Sequence, residues 1–459
     1  MKKIYFLVLT FALLAGSCNE FDAEINTNPN QPSVASGPQL LASAMLALPD
    51  LSESPQGEFL AQYLAETQYV TTSLYPQAST SFYGWYQGPL INIETVLENS
   101  NATPEIMVAK ILKAYYFWNI TDRWGDVPFT EALKGATNLT PFYDTQEDIY
   151  NDLFALLKEA NNMEVTGQLS SDIMYGGDMD QWRKLANTIR LLMALRLSEV
   201  NPTLGKTEFT AALNDGVMTS NDDNLVFNHL ADANNQGYWY GQITVLSREW
   251  WALTEGLVNE MKPVNDPRLP VYGNPARESG EYVGQLYGDI VDFDTEKYSL
   301  LGDEIARQDS RVHLVTYAQV LFAMAEAAKL EWIPGGDTDA QAYYEEAIEQ
   351  SFLQWTGSSD GIDDFLAEPA IAYDPDQAIK QIATQRWVHL FMHGYEAWAE
   401  WRRTGYPDNL VEPEGAAVPN RLIYVESEQF NNTENYNEAV QRQFGGTESL
   451  YGKVWWDAN

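Results

Sequence analysis

Cysteine is nearly absent from this chain of 459 residues: the only one is Cys18. A single thiol excludes a disulfide framework and any Cys-based zinc or iron–sulfur centre. Cations are scarce too. There are 27 Lys and Arg against 65 Asp and Glu, a formal charge of −38. A surface this acidic repels phosphate at long range, so no nucleic acid is expected as a partner. Beyond residue 17 no run of 18 or more uninterrupted apolar residues occurs, so nothing there is expected to span a bilayer. There is no Gly-x-Ser-x-Gly elbow, no Walker loop and no Gly-x-Gly-x-x-Gly, and no cofactor is expected. What the chain does have is aromatic bulk. Its 14 Trp, 26 Tyr and 18 Phe supply ample apolar surface for a core and exclude disorder over most of its length.

The first 17 residues, MKKIYFLVLTFALLAGS, read as an address. Lys2 and Lys3 give a positive start. Ile4 to Leu14 is apolar but too short for a stable span, and Ala15-Gly16-Ser17 is small and cleavable. Cys18 follows directly, where a thiol can be lipidated and become the mature N-terminus. The pattern resembles a bacterial lipoprotein signal, except that Leu14 sits one position further from the cysteine than is usual and Ala15 takes its place. The plainer alternative is an ordinary secretion signal with a chance cysteine. Removing the leader takes away two lysines and no acids, leaving 25 cations against 65 acids.

Residues 18–37 are polar and read as a tether, and 38–459 as a single unit, because no Pro/Ser-rich linker divides them. Helical patterns are expected over Leu40–Leu48, Phe59–Val70, Ile106–Ile120, Thr145–Ala160 and Gln181–Val200, and again over Tyr317–Trp332, Asp339–Trp355 and Pro375–Arg403. Thr103-Pro104 reads as an N-cap followed by Pro at N1, Thr145-x-x-Asp148 as a variant capping box, and Asn201-Pro202 as a stop. Residues 219–310 are rich in Asn, Gly, Pro and aromatics, with strand-like runs at Leu225–Phe227 and Tyr282–Tyr287. The fold class is therefore mainly α, with helical hairpins stacked side by side, an irregular loop-rich half and a few short strands. No 34-residue signature of the Trp-x-x-Leu-Gly-x-x-Tyr kind supports the pairing.

Four groups of motifs appear in order. Thr121-Asp122-Arg123-Trp124-Gly125-Asp126-Val127-Pro128-Phe129 precedes Pro141-Phe142-Tyr143-Asp144-Thr145. Asn265-Asp266-Pro267-Arg268-Leu269 lies in the Pro-rich middle. Glu396-Ala397-Trp398-Ala399-Glu400-Trp401-Arg402-Arg403-Thr404-Gly405-Tyr406-Pro407 ends the last long helix. Pro419-Asn420-Arg421 and Lys453-Val454-Trp455-Trp456-Asp457 close the chain. The ordered set resembles the SusD/RagB family of nutrient-binding outer-membrane lipoproteins. The resemblance implies tetratricopeptide-like helical pairs carrying an irregular ligand-binding half. It also implies a lipid-anchored position at the cell surface over a SusC-like TonB-dependent transporter, and capture of oligosaccharide, or in some branches peptide, without cleavage.

The motif residues themselves read as scaffold. Asp122 or Asp126 would hold the N–H groups of a turn or pair with Arg123, and Arg402 and Arg403 would sit at a helix C-terminus before the stop at Gly405. Arg183, Lys184, Arg190 and Arg196 on one apolar helix read as ion pairs to neighbours, with the grip of an acidic sugar as the alternative. His389, His393 and Glu396 lie at helical spacing but lack the zinc-protease pattern, and Gly394 interrupts them. Asp222-Asp223-Asn224 and Asp360-x-x-Asp363-Asp364 do not match a calcium loop and read as solvated turns. No metal is expected.

Sugars bind by stacking on Trp and Tyr rings flanked by amides, carboxylates and guanidinium groups that take the hydroxyls. Two loop segments have that composition: Tyr83, Trp85 and Tyr86 in SFYGWYQ, and Asn234, Asn235, Tyr238, Trp239 and Tyr240 in NNQGYWY. The alternative is that these rings plug the core beneath long loops. Of the adjacent Trp250 and Trp251, one is expected in the core. Two rival functions stay open at this level: a secreted helical glycoside hydrolase using a carboxylate pair, and a lipoprotein scaffold that binds only proteins.

Overall fold

In the computed structural model, residues 35–76, 80–289 and 294–458 are described. The leader, Cys18 and almost all of the 18–37 tether lie outside them. Eleven helices of nine residues or more carry the architecture: α1 (Gly37–Leu46), α2 (Ile91–Asn99), α3 (Thr103–Trp124), α4 (Gln146–Asn162), α5 (Met179–Arg196), α6 (Pro202–Asp215), α7 (Tyr317–Lys329), α8 (Gly336–Thr356), α9 (Ala378–His389), α10 (Gly394–Thr404) and α11 (Thr433–Phe444). Four short strands accompany them: β1 (Leu64–Glu66), β2 (Leu225–Asn228), β3 (Trp251–Leu253) and β4 (Arg311–Val315). Successive helices pack as hairpins, α3 on α4, α5 on α6 and α7 on α8, with α4 against α5 and α7 against α9 joining the pairs. The mainly α, stacked-hairpin class is the one observed.

Local chemistry sets most of the helix ends. The Thr145 hydroxyl accepts from the Asp148 N–H at 3.1 Å and starts α4, whose Ile149, Leu153, Leu157 and Ala160 are buried at helical spacing. Asp178 caps α5, and Asn201 ahead of Pro202 caps α6. Thr316 and Gln319 form a capping box on α7. In α3, Ala102 is the N-cap, so Thr103 and Pro104 fall one place further into the helix than expected. Sixteen of its side chains are buried, including Tyr116, Phe117, Trp118 and Trp124, as its nearly all-round apolar sequence requires.

Three expectations fail, each through a long-range contact. The helix over Phe59–Val70 stops at Leu60. Gln62 takes φ 54° and the chain becomes β1, which pairs antiparallel with β3 in the register Leu64↔Leu253, Ala65↔Ala252 and Glu66↔Trp251. Every residue of β1 is buried, so its apolar run has no face that distinguishes strand from helix. The single helix over Pro375–Arg403 is two, separated where Met392 takes φ 65°. The strand-like Tyr282–Tyr287 contributes only an isolated bridge from Gln285 to Thr254. Strand β2 forms as expected and pairs with β4, with a bulge between Leu225 and Val226.

The break before α10 brings two backbones together. A Cβ on Gly394 would overlap the backbone of Gly57, and one on Gly57 would touch the Tyr395 ring at 2.9 Å. Beside this crossing lies Glu58, buried, with one carboxylate oxygen accepting from the Gly394 N–H at 2.9 Å. Burial pushes its carboxyl up to about 8, against the lowering effect of backbone hydrogen bonds from Gly394 and Met392.

The motif residues lie inside the scaffold and knit it by charge. Arg196, fully buried at the end of α5, reaches Glu396 at 2.8 Å, Glu400 at 2.5 Å and Asp122 at 3.3 Å. Glu400 also meets Arg386 at 2.9 Å and Arg403 at 2.7 Å, and Arg403 goes on to Glu326 at 2.5 Å. One network thus joins α3, α5, α7, α9 and α10. Asp122 does not pair with Arg123; it accepts from Tyr150 and Trp456. Arg402 and Arg403 do more than favour a helix dipole. Arg402 donates to the carbonyls of Asn420 and Asp122 and stacks 3.7 Å over Trp398. Arg268 is fully buried against Asp266 at 2.6 Å, and Arg421 pairs with Glu448. The four cations on α5 are tied down too: Arg190 holds Glu208 and Asp215, Lys184 holds Asp223, and Arg183 donates to the carbonyls of Asn161 and Met163.

Two outcomes test this account. Glu400→Gln strips the charge that three buried guanidinium groups share, and is expected to cost about 3–5 kcal/mol, read as a lowered thermal midpoint. An unchanged midpoint would remove the network from the folding energetics. Glu58 has a folded pKa above its ordinary value, so its neutral form is favoured in the fold. It therefore opposes folding increasingly as pH rises from about 5 to 8. Glu58→Gln should gain stability relative to the natural chain across that window, by on the order of a few kcal/mol at the top, in urea titrations at stepped pH. A difference that does not vary with pH contradicts it.

Candidate functional site

The two aromatic segments occupy different places. In the first, Phe82 is buried and Tyr83, Trp85 and Tyr86 are half-buried on the core. Tyr83 donates to Glu428, and Tyr86 donates to the Pro128 carbonyl at 2.6 Å. Trp85 lies edge-on to Trp124 at 5.8 Å, with the Arg123 guanidinium 5.0 Å over its ring. These rings sit on a single turn that widens into a π-turn over Tyr86–Leu90 around Pro89. Among the described residues no hydrogen bond or ring contact joins this segment to the second.

Of the second segment, Trp239 alone lines a cleft. Asn234 is exposed, Asn235, Tyr238 and Tyr240 are half-buried, and Trp239 is 3% exposed. Trp239 lies on a short turn, Tyr238–Tyr240, that follows Gly237. A Cβ on Gly237 would overlap Ser310 Oγ, so only glycine lets the turn settle against the loop before β4. From Trp239 a file of rings runs outward. Trp239 meets Trp251 at 5.2 Å, Trp251 meets Trp250 at 5.7 Å, and Trp250 meets Tyr69 at 5.0 Å, mostly edge to face. Trp251 is core and Trp250 half-exposed, the division expected of that pair. The file ends at the surface, where Tyr69 is 52% exposed and the Arg248 guanidinium lies 4.2 Å over Trp250.

At its inner end the file reaches a cleft of about 470 Å³. Trp239 and Trp355 supply rings, and His229, Arg307, Arg311 and His313 supply polar groups. The volume lies within the roughly 300–1,000 Å³ of small-molecule sites. The near wall is held by Glu53. One of its oxygens meets His229 Nε2 at 3.0 Å, and the other accepts from the Tyr238 N–H at 3.3 Å. His229 Nδ1 donates to the Asn235 carbonyl at 3.1 Å, so both ring nitrogens face acceptors. Burial disfavours its charge, but the hydrogen bond and charge of Glu53 outweigh it and raise the imidazole pKa. His313 is pushed the other way, to about 4, by burial and by the charge of Arg311. Glu66, under Tyr69, is raised by burial to about 7.

Sequence reasoning located Trp239 and its neighbours but missed Glu53, Tyr69, His229, Arg248, Arg311, His313 and Trp355. They come from separate loops and strands, and the only local signal was the alternation Arg311-x-His313 on β4. The histidines near the chain's end do not converge. His389 is held by Thr316 and Ser351, His393 by the Leu314 carbonyl, and Glu396 by Arg196. Among the described residues no group of three or more His, Cys, Asp or Glu is placed to hold a metal, and no helix is long and apolar enough to cross a membrane.

Residues 29–425 match the family model SusD-like_2, described as "Starch-binding associating with outer membrane". Among solved structures, a chitin-binding protein is 30% identical, with a TM-score of 0.80 over 92% of this chain and 100% of its own. A SusD homologue of Bacteroides fragilis is 26% identical, with a TM-score of 0.81 over 92% of this chain and 99% of its own. A chitin-binding SusD homologue from Flavobacterium johnsoniae, 24% identical, shares the fold with a TM-score of 0.78 over 92% of this chain and 98% of its own. No curated protein matches. With most of the chain under one family model and its motif residues buried as the frame of a stacked-helix fold, this protein belongs to the SusD/RagB family of SusD-like proteins.

Proposed function

We propose that this protein is an outer-membrane lipoprotein, acylated at Cys18 and exposed at the cell surface, that binds an oligosaccharide without cleaving it. It would deliver the sugar to a SusC-like TonB-dependent transporter. Residues 1–17 act as its leader and 18–37 as its tether, and 38–459 work as one binding unit. The observation that carries the reading is the file of rings from Tyr69 through Trp250 and Trp251 to Trp239, which opens at one end on solvent and at the other on the polar cleft.

The physics suits a carbohydrate. A sugar ring offers an apolar face to Tyr69 and Trp250 while its hydroxyls meet Arg248 and the cleft's amides, guanidinium groups and carboxylates. Asn234, Asn235, Tyr238 and Tyr240, beside Trp239 in sequence, are further candidates for contact with the sugar. Tyr83, Trp85 and Tyr86 enter the test as a second candidate surface. A chitin-binding relative makes β-linked amino-sugar chains the first ligands to try. The rival hydrolase reading needs a carboxylate pair free to act. In the cleft, Glu53 is engaged by His229 and Asp309 by Arg307.

Purified mature protein incubated with a glycan panel should retain sugar unchanged while its Trp fluorescence shifts. Accumulating reducing ends would favour the hydrolase, and no response with a co-purifying barrel would favour the scaffold. Tyr69→Ala and Trp250→Ala are each expected to weaken binding by about 1–3 kcal/mol, a scale taken from base–aromatic stacking, with the thermal midpoint kept. Trp85→Ala should instead lower the midpoint. A selective affinity loss there would move the platform to the first segment. Mass spectrometry of the membrane-extracted protein should find a diacylglyceryl group on Cys18, and an unmodified terminus would end the anchor proposal.

A further inference from the structure

Three carboxylates, Glu53, Glu304 and Asp309, line the cleft with two guanidinium groups, Arg307 and Arg311. Arg307 is held by Asp309 through two hydrogen bonds, at 3.0 and 3.2 Å, and by Glu304 at 3.4 Å. Glu53 is held by His229 at 3.0 Å. Arg311 remains. It lines the cleft at the start of β4, and its guanidinium has no hydrogen bond or ion pair to any described residue. Arg311 is exposed and acts on Asp309 only through its charge, so its donors are open to a ligand.

Its neighbours are also unsatisfied. Ser310 is 8% exposed, and its hydroxyl has no partner among the described residues. Two places along β4 from Arg311, on the same strand face, His313 has a buried Nδ1 with no partner. A buried hydroxyl or imidazole nitrogen without a partner has lost its water without compensation, which a polar ligand group would restore. The His313 ring lies 5.5 Å from Trp355, whose own N–H is already given to the His389 carbonyl, so Trp355 offers the cleft only ring surface. Ser310, Arg311 and His313 thus line the same cleft as the Trp355 ring.

The geometry points to a subsite for the carboxylate of an acidic sugar, a uronate, seated on Arg311, Ser310 and His313 with its ring against Trp355. A guanidinium takes a carboxylate through two parallel hydrogen bonds, a match that neutral hydroxyls cannot make. The Ser310 hydroxyl and the neutral His313 imidazole can each donate to the remaining oxygens or accept from a sugar hydroxyl. The ligand carries one acid group at this position rather than a run of them. The chain's formal charge of −38 repels a polyanion at long range, whereas a single carboxylate is drawn in locally by Arg311. This deepens the proposed glycan-binding role and rests on it.

Calorimetric titration of the mature protein with four probes separates the possibilities: a neutral tetrasaccharide, the same tetrasaccharide ending in a uronate, free glucuronate, and tri-alanine. The uronate-ended chain should bind about tenfold or more tightly than the neutral one. In Arg311→Gln, an exposed position on a strand end, that ratio should fall to about one, with the thermal midpoint unchanged. Lys in place of Arg311 should restore part of the ratio, because it returns the charge without the fork. Equal affinities in the natural chain, or a ratio that survives Arg311→Gln, overturn the subsite while leaving glycan binding intact. Silence toward all three sugars overturns both. Arg311-dependent binding of tri-alanine in their place overturns the sugar assignment in favour of a peptide carboxylate.

Discussion

Glu400 lies between three guanidinium groups, those of Arg196, Arg386 and Arg403, in a place almost closed to water. Ionising a carboxyl there would be prohibitive alone. Burial does act to raise its pKa, but the three cations outweigh burial and hold it below the ordinary carboxylate range. The neighbouring Glu396 shows the reverse balance. Burial and the charge of Glu400 raise it, and Arg196 offsets only part of that. Such a network tolerates little displacement, since each charge is affordable only while its partners stay within about 3 Å. It therefore fixes the relative placement of α3, α5, α7, α9 and α10, and with them the loops that those helices carry.

The cleft inherits its geometry from that frame. Strand β4 leads into Thr316, whose hydroxyl starts α7 and meets His389 on α9. Trp355 sits near the end of α8 and donates to the backbone at the end of α9. The Trp239 wall is built from loops and is pinned by Glu53, and the segment Glu304–Ser310 before β4 adds to the lining. Helices and β4 thus carry part of the site, and loops tied by Glu53 and by the Arg307–Asp309 pair carry the rest.

Much of the frame was legible. Thr145 reads as the start of α4 because a cap is a contact within four residues, whereas Asn201-Pro202, which reads as a stop, also caps α6, a helix not expected from the sequence. The ordered motifs around Asp122, Arg268, Glu400 and Trp456 marked the family, though not how they act. Nothing local tells that Asp122 waits for Trp456 and Arg196, or that Arg402 caps a carbonyl of Asn420. β1 read as helix because its strand partner β3 arrives from the other half of the chain, and the candidate site was half visible for the same reason. Trp239 announces itself in an aromatic loop, whereas Tyr69, His229 and Arg311 are single residues in unremarkable surroundings.

Composition, caps, helical periodicity and motif order thus determined the mainly helical class, the hairpin stacking and the family, since each depends on neighbours in the chain or on residue types alone. Which buried charges neutralise one another, where the last long helix breaks at Met392, and which rings line up from Tyr69 to Trp239 were decided only by tertiary structure. Those outcomes turn on distances between segments far apart in sequence, and electrostatic pairing and edge-to-face packing act at contact range, where the sequence has no coordinate.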